Sequence, residues 1–463
     1  METTTRLLLP DVSAALRTDP SLVVEMTEEM HPADLADLCA ALDDDLALLL
    51  IKALPVEDGA RLLEAMAEDR RSPLVEMLAN ADSSRTVELF EEMAPDDAAD
   101  VIAELPQATQ DALLDKLEPG ESRDIRQLMS YPEGTAGSIM TTNFVTVSAE
   151  TTILEAIEAI RRSAEEKETI NYAYAVDPNQ ALLGVVSLRD LVLARADKRI
   201  ADIMEPNVIA VNDDDEQAEV VRVSTKYGLM AVPVINKLRH MVGIVTVDDV
   251  VEVVEEEATE DIQKFGGMEA LDAPYLTIGF ASMVKKRAGW LAALFLGEML
   301  TATAMATYET QIQRAVVLAL FVPLIISSGG NSGSQASTLV IRAMALGEIK
   351  LTDWWIVMRR ELAAGAMLGL VLGTIGFLRI VAWQAITPTY GVHYLLVAGT
   401  VFFSLIGVVL FGTMAGSLLP FLLRRLGFDP ASASAPFVAT LVDVTGLIIY
   451  FSVATALMRG TLL

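Results

Sequence analysis

Five long apolar stretches in the second half of this 463-residue chain constrain its fold more than any other feature. A helix needs about 20 mostly apolar residues to cross the hydrocarbon core of a bilayer. Soluble helices of that length normally carry a polar face. The sequence therefore predicts a transmembrane domain over residues 273–463, with five spans at 288–308, 315–341, 363–386, 394–423 and 431–458.

Charge divides the chain at the same place. Residues 273–463 contain 12 basic and 7 acidic side chains, whereas residues 1–272 contain 22 basic and 57 acidic ones. The net charge of −30 argues against a nucleic-acid partner, which requires a basic surface. The single cysteine, Cys39, excludes a disulfide within the chain. The three histidines are far apart in sequence, which argues against a zinc site.

Basic residues also predict the orientation of the spans. Nine flank one set of span ends and three lie near the opposite ends. The positive-inside rule places the nine in the cytosol, namely Lys285, Lys286, Arg287, Arg342, Lys350, Arg359, Arg360, Arg424 and Arg425. The first residues lack the charged start and apolar core of a signal peptide. We therefore expect a multi-pass protein of the cell (inner) membrane, with a cytosolic amino terminus and an external carboxyl terminus.

The first 132 residues are predicted to form an all-α domain. Apolar residues recur at helical spacing in short segments that begin near residues 31, 54, 94 and 105. Each segment carries a proline near its start, where the missing N–H costs nothing. We interpret this region as a superhelical domain of stacked helical hairpins.

An internal duplication follows the helical domain. The segment SIMTTNFVTVSAETT at 138 is repeated as DIMEPNVIAVNDDDE at 202, and GVVSLRDLV at 184 is repeated as GIVTVDDVV at 243. Each copy has short β-rich runs and an amphipathic helix. The duplication resembles a tandem α/β pair of CBS domains, with repeats at 133–200 and 201–255. That resemblance implies face-to-face packing of the repeats, frequent dimerisation and frequent binding of adenine nucleotides.

A strongly acidic linker helix is predicted between the repeats and the membrane domain. It occupies residues 246–272, overlapping the end of the second repeat, and has eight acids and no base between Asp248 and Asp261. So many like charges repel one another unless cations neutralise them. We therefore expect this helix to bind cations. The alternative interpretation is a linker helix whose acids are only solvated.

Asp443 lies in the middle of the fifth span. A charge at the bilayer centre costs roughly 2.5–3.5 kcal/mol on insertion scales, so we expect this carboxylate to face a pore or a partner. A lone carboxylate on a water-filled path suits a cation, whereas a packing hydrogen bond to a neighbouring helix is the alternative. Glu298, in the first span, is a second intramembrane acid that either tunes the pore, contacts the linker helix or has an interfacial role.

The second span contains a run of small and polar residues at 327–335. Its three glycines, with Pro323, predict a weakened helix whose freed carbonyls line a cavity. Close packing of small residues is an alternative that is compatible with this one. Asn331 and Gln335 are the pore-lining candidates in this segment.

The residue types favour a hard cation, because no cysteine or histidine accompanies the carboxylate. Mg²⁺ sheds water reluctantly, so a site can hold the hydrated ion through few direct ligands. Two chains around a shared axis would supply two Asp443 carboxylates and balance the double charge.

In domain order and in its motifs the whole chain resembles the MgtE family of magnesium channels. The most specific motifs are PLIISSGGNSGSQ at 323–335, DPASASAPFVATLVDVTGLIIY at 429–450 and VTVDDVVEVVEEEATEDI at 245–262. The resemblance implies a homodimer with the pore on its two-fold axis, and a linker helix that plugs this pore. It also implies that Asp443 binds the hydrated ion with help from the Ala439 carbonyl. Ala435 departs from relatives that have a polar Asn there.

The resemblance further implies regulatory Mg²⁺ ligands between the cytosolic domains. The matching acids are Asp96 and Asp100 on the helical domain and, on the CBS and linker side, Glu216, Asp249, Glu252, Glu255, Glu257, Glu260 and Asp261. Gly228 and Ala218 stand where relatives carry acids, so we expect one bridging site to be altered or absent. Some relatives bind ATP between the repeats, and Tyr172, Arg189 and Asp190 match that pattern, although Leu229 replaces an aromatic residue.

These features predict a Mg²⁺ channel or transporter for passive uptake, gated by cytosolic Mg²⁺. The chain has no GxxxxGK[ST] motif for nucleotide hydrolysis, which agrees with passive flux, and we expect it not to be an enzyme. Two alternatives stay open. One is a CBS-regulated transporter of another divalent ion such as Co²⁺ or Mn²⁺, and the other is a membrane-anchored nucleotide sensor without transport.

Overall fold

The computed structural model describes residues 3–164, 167–271, 275–276 and 278–461. The chain divides into two compact units, Met1–Glu256 and Glu257–Leu463. The first unit contains the helical domain and the duplicated α/β region. The second unit contains the predicted spans.

The first unit begins with short helices joined by tight turns. Proline occupies the first helical turn of α3, α8 and α10, as its missing N–H predicts. The buried leucines, isoleucines and valines of successive helices form one continuous core, which fits the predicted all-α superhelical domain. The helices are α1 (Thr3–Thr18), α2 (Ser21–Thr27), α3 (Pro32–Ala40), α4 (Asp44–Ala53), α5 (Val56–Glu64), α6 (Glu68–Ala81), α7 (Ser83–Glu92), α8 (Pro95–Ala103), α9 (Gln107–Leu114) and α10 (Pro119–Leu128).

The duplicated region forms two matching three-stranded sheets. In each sheet the first strand is parallel to the second and the third is antiparallel to it, with one irregularity in register at equivalent positions. The tandem pair expected from the sequence repeat is confirmed. The elements are β1 (Val145–Ser148), α11 (Ile153–Ser163), β2 (Tyr172–Val176), β3 (Leu182–Ser187) and α12 (Leu188–Leu193), then β4 (Val211–Asn212), α13 (Gln217–Tyr227), β5 (Ala231–Ile235) and β6 (Met241–Thr246).

The motifs that revealed the duplication contact each other across the two repeats. Met140, from the opening of the first repeat, fills the space beside Gly243, where a Cβ would lie 2.6 Å from its sulfur. Met204, from the opening of the second repeat, fills the space beside Gly184, where a Cβ would lie 2.7 Å from its sulfur. Each of these positions therefore has to be glycine, because a methionine of the other repeat occupies the space that a side chain would need.

A single helix, α14 (Val247–Phe265), follows β6 and crosses the boundary between the units. Val250 and Val253 are buried, whereas most of the acids on the remaining faces are exposed or half-buried. Helix α14 lies within the predicted linker range of 246–272 and ends earlier than predicted, at Phe265.

The second unit contains five helices long and apolar enough to cross a membrane, among the residues that the structure describes. They are α15 (Phe280–Thr307), α17 (Val322–Ala345), α18 (Trp354–Ile386), α19 (Tyr394–Arg425) and α20 (Ala435–Met458), with the short α16 (Glu309–Arg314) after the first. A 3-10 turn at Val316–Phe321 precedes α17, and another at Pro430–Ser432 precedes α20. Lys285, Lys286 and Arg287, expected to precede the first span, lie inside the first turns of α15.

The expectation of a broken second span is wrong. Helix α17 is continuous from Val322 to Ala345 and its glycines serve close packing instead. A Cβ at Gly333 would lie 2.8 Å from the Gly412 carbonyl oxygen, and a Cβ at Gly412 or Gly416 would overlap the α17 backbone. The two backbones touch at these glycines, so the packing alternative raised by the sequence is the one that the structure shows.

Candidate ion-binding sites

Asp443 lies half-buried near the middle of α20, on the same helix face as Ala439 one turn earlier. Ala439 faces Gly330 of α17, where a Cβ would lie 3.5 Å from the Ala439 Cβ. Because Gly330 and Ala439 are small, no large side chain from this crossing covers the helix face that carries Asp443. The carboxylate therefore projects from a helix whose other face is packed in the core of the unit.

Glu298 meets Asp443 from the first span. A Cβ at Gly297 would lie 2.9 Å from Thr440 Cγ2, so α15 approaches α20 closely at this level. The carboxyl groups of Glu298 and Asp443 are in hydrogen-bonding contact. Within the described residues neither carboxylate has a basic partner within 4.0 Å. Two facing carboxyl groups in a membrane segment need a shared proton or a cation between them.

Asn331 and Gln335 lie one turn apart on an exposed face of α17. The Asn331 amide is 3.4 Å from Ser327 Oγ on the preceding turn. These polar side chains lie on a membrane helix, yet the other helices of the same chain leave them uncovered.

An acidic cluster lies within the first unit, where the start of α8 meets the start of α14. Asp96, Asp97 and Asp100 on α8 interact electrostatically with Asp248, Asp249 and Glu252 on α14. Glu168, before β2, and Glu64, at the end of α5, complete this acidic cluster. Of the sensor residues expected from the sequence, it contains Asp96, Asp100, Asp249 and Glu252.

The pKa of most carboxyl groups in the acidic cluster is raised, mainly by burial and to a smaller extent by their mutual repulsion. Burial raises the pKa of Glu64, Asp100 and Glu168 to about 7, and the pKa of Asp249 to about 6. The pKa of Asp96 lies well above its usual value. Of the nearby cations, Arg71 is already paired with Glu104, and Arg61 acts electrostatically on Glu64. The acidic cluster thus holds more negative charge than its own bases neutralise.

The donor set suits a hard cation that keeps part of its hydration shell. Asp96 Oδ1 is buried and has no hydrogen-bond partner among the described residues. Its side chain accepts from Thr141 and faces Asp249 and Glu168. No three His, Cys, Asp or Glu side chains of the described residues converge closely enough to form a ready-made cage. Mg²⁺ with bound water bridges such spaced carboxylates without requiring that convergence.

The remaining expected regulatory acids do not join this acidic cluster. Glu216 precedes α13 and is exposed, and Glu255 is exposed on α14. Glu260 and Asp261 lie in the second unit, near Lys264 and Asp429, and Glu257 interacts with Asp261 there. The regulatory acids expected from the sequence are therefore distributed: four lie in the acidic cluster, Glu257, Glu260 and Asp261 lie in the second unit, and Glu216 and Glu255 are exposed elsewhere.

Sequence reasoning missed four members of the acidic cluster: Glu64, Asp97, Glu168 and Asp248. Asp97 and Asp248 are sequence neighbours of predicted ligands, so the paired acids in PDD and VDD were an available signal. Glu64 and Glu168 lie far from them in sequence. Only the packing of α5 and of the segment before β2 brings these two into place.

Two of the three proposed nucleotide residues, Tyr172 and Arg189, line a cavity in the duplicated region. This cavity, of about 650 Å³, is bordered by Asn171, Tyr172, Ser187, Leu188, Arg189, Val192, Leu193 and Met230. Asp190 is not among its lining residues, and its carboxylate instead accepts a hydrogen bond from Ser187 Oγ at 2.6 Å. Met230, next to Leu229, contributes to the apolar part of the lining together with Leu188, Val192 and Leu193.

Together, a five-helix membrane unit with facing carboxylates and an acidic α/β region with two CBS folds define an integral membrane transporter for a cation. Family models agree segment by segment. Residues 322–453 match the MgtE divalent cation transporter model, residues 30–134 match the MgtE intracellular N domain, and residues 136–197 and 200–256 match CBS domains.

Curated relatives support the same assignment. The chain is 41% identical over 342 residues to the magnesium transporter MgtE of Thermus thermophilus, which covers 73% of each chain. It is 35% identical to the magnesium transporter MgtE of Enterococcus faecalis, over 73% of this chain and 72% of that one. A solved structure of the soluble part of a magnesium transporter matches 55% of this chain and 99% of its own, at 31% identity and a TM-score of 0.51. The chain belongs to the MgtE family of magnesium transporters.

Proposed function

We propose that this chain conducts Mg²⁺ passively across the cell membrane as a homodimer and closes when cytosolic Mg²⁺ is high. The observation that carries the proposal is the Asp443 carboxylate, which faces Glu298 inside the membrane unit without a basic partner. A cation is what such an arrangement accommodates. Asp443 binds the hydrated ion, aided by the Ala439 carbonyl, and Glu298 adds a second acid to the path.

The ligand chemistry favours Mg²⁺ over softer ions. Carboxylate, carbonyl and amide oxygens are the groups near Asp443, and hard divalent ions prefer such ligands. Co²⁺ and Mn²⁺ accept the same oxygens, so transport of these ions is the alternative that the flux measurement below includes.

The homodimer is supported by the polar face of α17. Asn331 and Gln335 are exposed on a membrane helix, where lipid cannot satisfy an amide. Helix α15 has no buried residue within a single chain. A second copy that covers these faces would place two Asp443 carboxylates around one path.

Gating is assigned to the acidic cluster of the first unit. At low Mg²⁺ its carboxylates repel one another, and bound Mg²⁺ stabilises the arrangement that brings α8 against α14. Because α14 continues into the second unit, this switch acts on the membrane unit through one helix. The ligand biases a two-state equilibrium by binding one state better than the other. The nine basic residues support a cytosolic position for the first unit.

Nucleotide binding is a second, regulatory activity that the duplicated region supports. Tyr172 offers an aromatic surface for a base and Arg189 a guanidinium for a phosphate, and both line the same cavity. Because Asp190 is engaged by Ser187, ribose recognition would need this carboxylate to turn toward the cavity. Binding of ATP to the purified chain, lost in Tyr172→Ala, tests this activity.

Flux into proteoliposomes tests the proposed transport. The full chain is reconstituted, and Mg²⁺, Ca²⁺, Co²⁺ and Mn²⁺ influx is compared at low and high Mg²⁺ on the cytosolic face. We expect Mg²⁺ influx that disappears in Asp443→Ala and persists in Glu309→Ala, a carboxylate outside the spans. Absence of any divalent influx from folded protein would instead favour the membrane-anchored sensor.

A further inference from the structure

A pair of exposed tryptophans marks the basic end of the third span. Trp354 and Trp355 begin α18 and are 47% and 50% exposed, and their rings contact each other edge to face at 5.5 Å. Tryptophan concentrates where lipid headgroups meet acyl chains, because its ring is apolar and its N–H is polar. These two rings therefore lie on a surface that faces lipid headgroups.

Two arginines follow the tryptophans at the depth of the headgroups. From Arg360 to Arg379, near the other end of α18, the helix rises about 28 Å at 1.5 Å per residue, close to the thickness of the hydrocarbon core. Arg359 and Arg360 are exposed. Arg359 lies one turn after Trp355 on the same helix face, and helical side chains lean toward the amino-terminal end. The Arg359 guanidinium is thus directed toward the tryptophan level.

The guanidinium groups of Arg359 and Arg360 are not held in ion pairs or hydrogen bonds by the described part of the chain. Within the described residues, neither Arg359 nor Arg360 makes a salt bridge or a side-chain hydrogen bond. Glu361 interacts electrostatically with Arg360 alone. Arg424 and Arg425, at the end of the adjacent α19, are also exposed, and Val357 packs in the same cluster as Phe421 one turn before them. A cationic surface therefore extends across the ends of two neighbouring spans.

We propose that the Trp354–Trp355–Arg359–Arg360 surface binds an anionic phospholipid headgroup of the adjacent leaflet. The phosphate accepts hydrogen bonds from the guanidinium fork of Arg359, and the acyl chains lie along the exposed apolar face of α18. A lipid fits this surface better than a soluble phosphate does. Both would pair with the arginines, but only the lipid would also contact the tryptophans.

Quenching of tryptophan fluorescence by brominated lipids tests the inference on the full chain. The chain has four tryptophans, so the measurement uses Trp290→Phe/Trp383→Phe, which leaves only the pair at 354 and 355. The protein is reconstituted in vesicles of phosphatidylcholine with either brominated phosphatidylglycerol or brominated phosphatidylcholine. We expect phosphatidylglycerol to bind next to the pair roughly three- to tenfold more tightly. Added Arg359→Gln/Arg360→Gln should reduce this ratio to about one, whereas added Arg379→Gln should leave it unchanged.

Native mass spectrometry provides a second measurement that needs no tryptophan substitution. The detergent-solubilised wild type, Arg359→Gln/Arg360→Gln and Arg379→Gln proteins are titrated with phosphatidylglycerol. Tighter lipid adducts in wild type and Arg379→Gln than in the double variant would support the proposal. Equal quenching by the two lipids, or adducts unchanged in Arg359→Gln/Arg360→Gln, would overturn it.

Discussion

Lys264 Nζ lies 2.7 Å from Asp429 Oδ2, which joins the last turn of α14 to the turn that begins α20. Lys264 also pairs with Glu260, and Asp429 accepts a hydrogen bond from the Ala431 backbone. Phe265 packs with Ile341, Ala431 and Ala433 beside this pair. The end of the linker helix is therefore docked on the segment that leads to Asp443.

Removing the Lys264 charge should weaken this docking. Both side chains are about one-third exposed, so the pair contributes about 0.5–1 kcal/mol and its loss shifts a two-state equilibrium roughly two- to fivefold. We expect Lys264→Met to increase Mg²⁺ influx at high cytosolic Mg²⁺ by about that factor. The measurement is influx into proteoliposomes, with Lys237→Met, which breaks an exposed pair with Asp214, as the control. Equal influx in Lys264→Met and wild type would show that the contact does not hold the closed state.

The acidic cluster should set the Mg²⁺ concentration at which transport stops. Asp96→Asn/Asp100→Asn removes two carboxylates and their repulsion, and it also removes two of the proposed ligands for Mg²⁺. We expect the half-closing Mg²⁺ concentration to rise about tenfold, which corresponds to about 1.4 kcal/mol of lost coupling. Influx measured across a Mg²⁺ titration checks this, with the exposed Asp45→Asn as the matched control. A half-closing concentration equal to that of Asp45→Asn would remove these acids from the sensor.

The packing of α8 against α14 should depend on pH when Mg²⁺ is absent. Burial raises the pKa of Glu64, Asp100 and Glu168 to about 7, so the packed form binds protons that the separated form has released. The packing is therefore most favourable below about pH 4, the ordinary carboxyl pKa, and weakens as the pH rises toward 7. We expect lower hydrogen-exchange protection of α8 amides at pH 7.5 than at pH 5.5. Saturating Mg²⁺ should remove most of the difference, and a protection that rises with pH would contradict the assignment.

The crossing of α17 and α19 should not tolerate a methyl group. A Cβ at Gly412 or Gly416 would overlap the carbonyl groups of Gly329 or Gly333, and overpacking of this kind costs about 1–3 kcal/mol. We expect Gly416→Ala to lower the melting temperature of the purified protein clearly. Gly399→Ala is the matched control, since it lies in the same helix with no atom within 4 Å of its Cβ. Equal melting temperatures for the two variants would show that the helices separate at little cost.

Features that depend on a single helix or strand could be predicted from the sequence. Five spans follow from the length of apolar runs, and Asp443 stands out because a bilayer centre penalises charge. Features that depend on several elements were harder to predict. The acidic cluster needs α5, α8, the segment before β2, and α14 to meet, so Glu64 and Glu168 carried no local signal.

In the second span, by contrast, the sequence predicted a feature that the structure does not have, namely a break in the helix. Its glycines and Pro323 lower helix propensity, yet α17 is continuous because each glycine meets a neighbouring backbone or side chain. Propensity describes an isolated helix, and the packed unit overrides it. The same glycines therefore indicate a close helix crossing rather than a break.

Met140 and Met204, each of which packs against the other repeat, determine whether one repeat can fold by itself. Met140 and Met204 each complete the neighbouring repeat, and the backbone beside each one hydrogen-bonds there as well, Thr141 to Ile244 and Glu205 to Val185. One repeat by itself would leave its closing glycine, Gly184 or Gly243, uncovered and the edge of its third strand without a hydrogen-bonded partner. A repeat produced alone would therefore need a second copy to supply the missing methionine and strand partner.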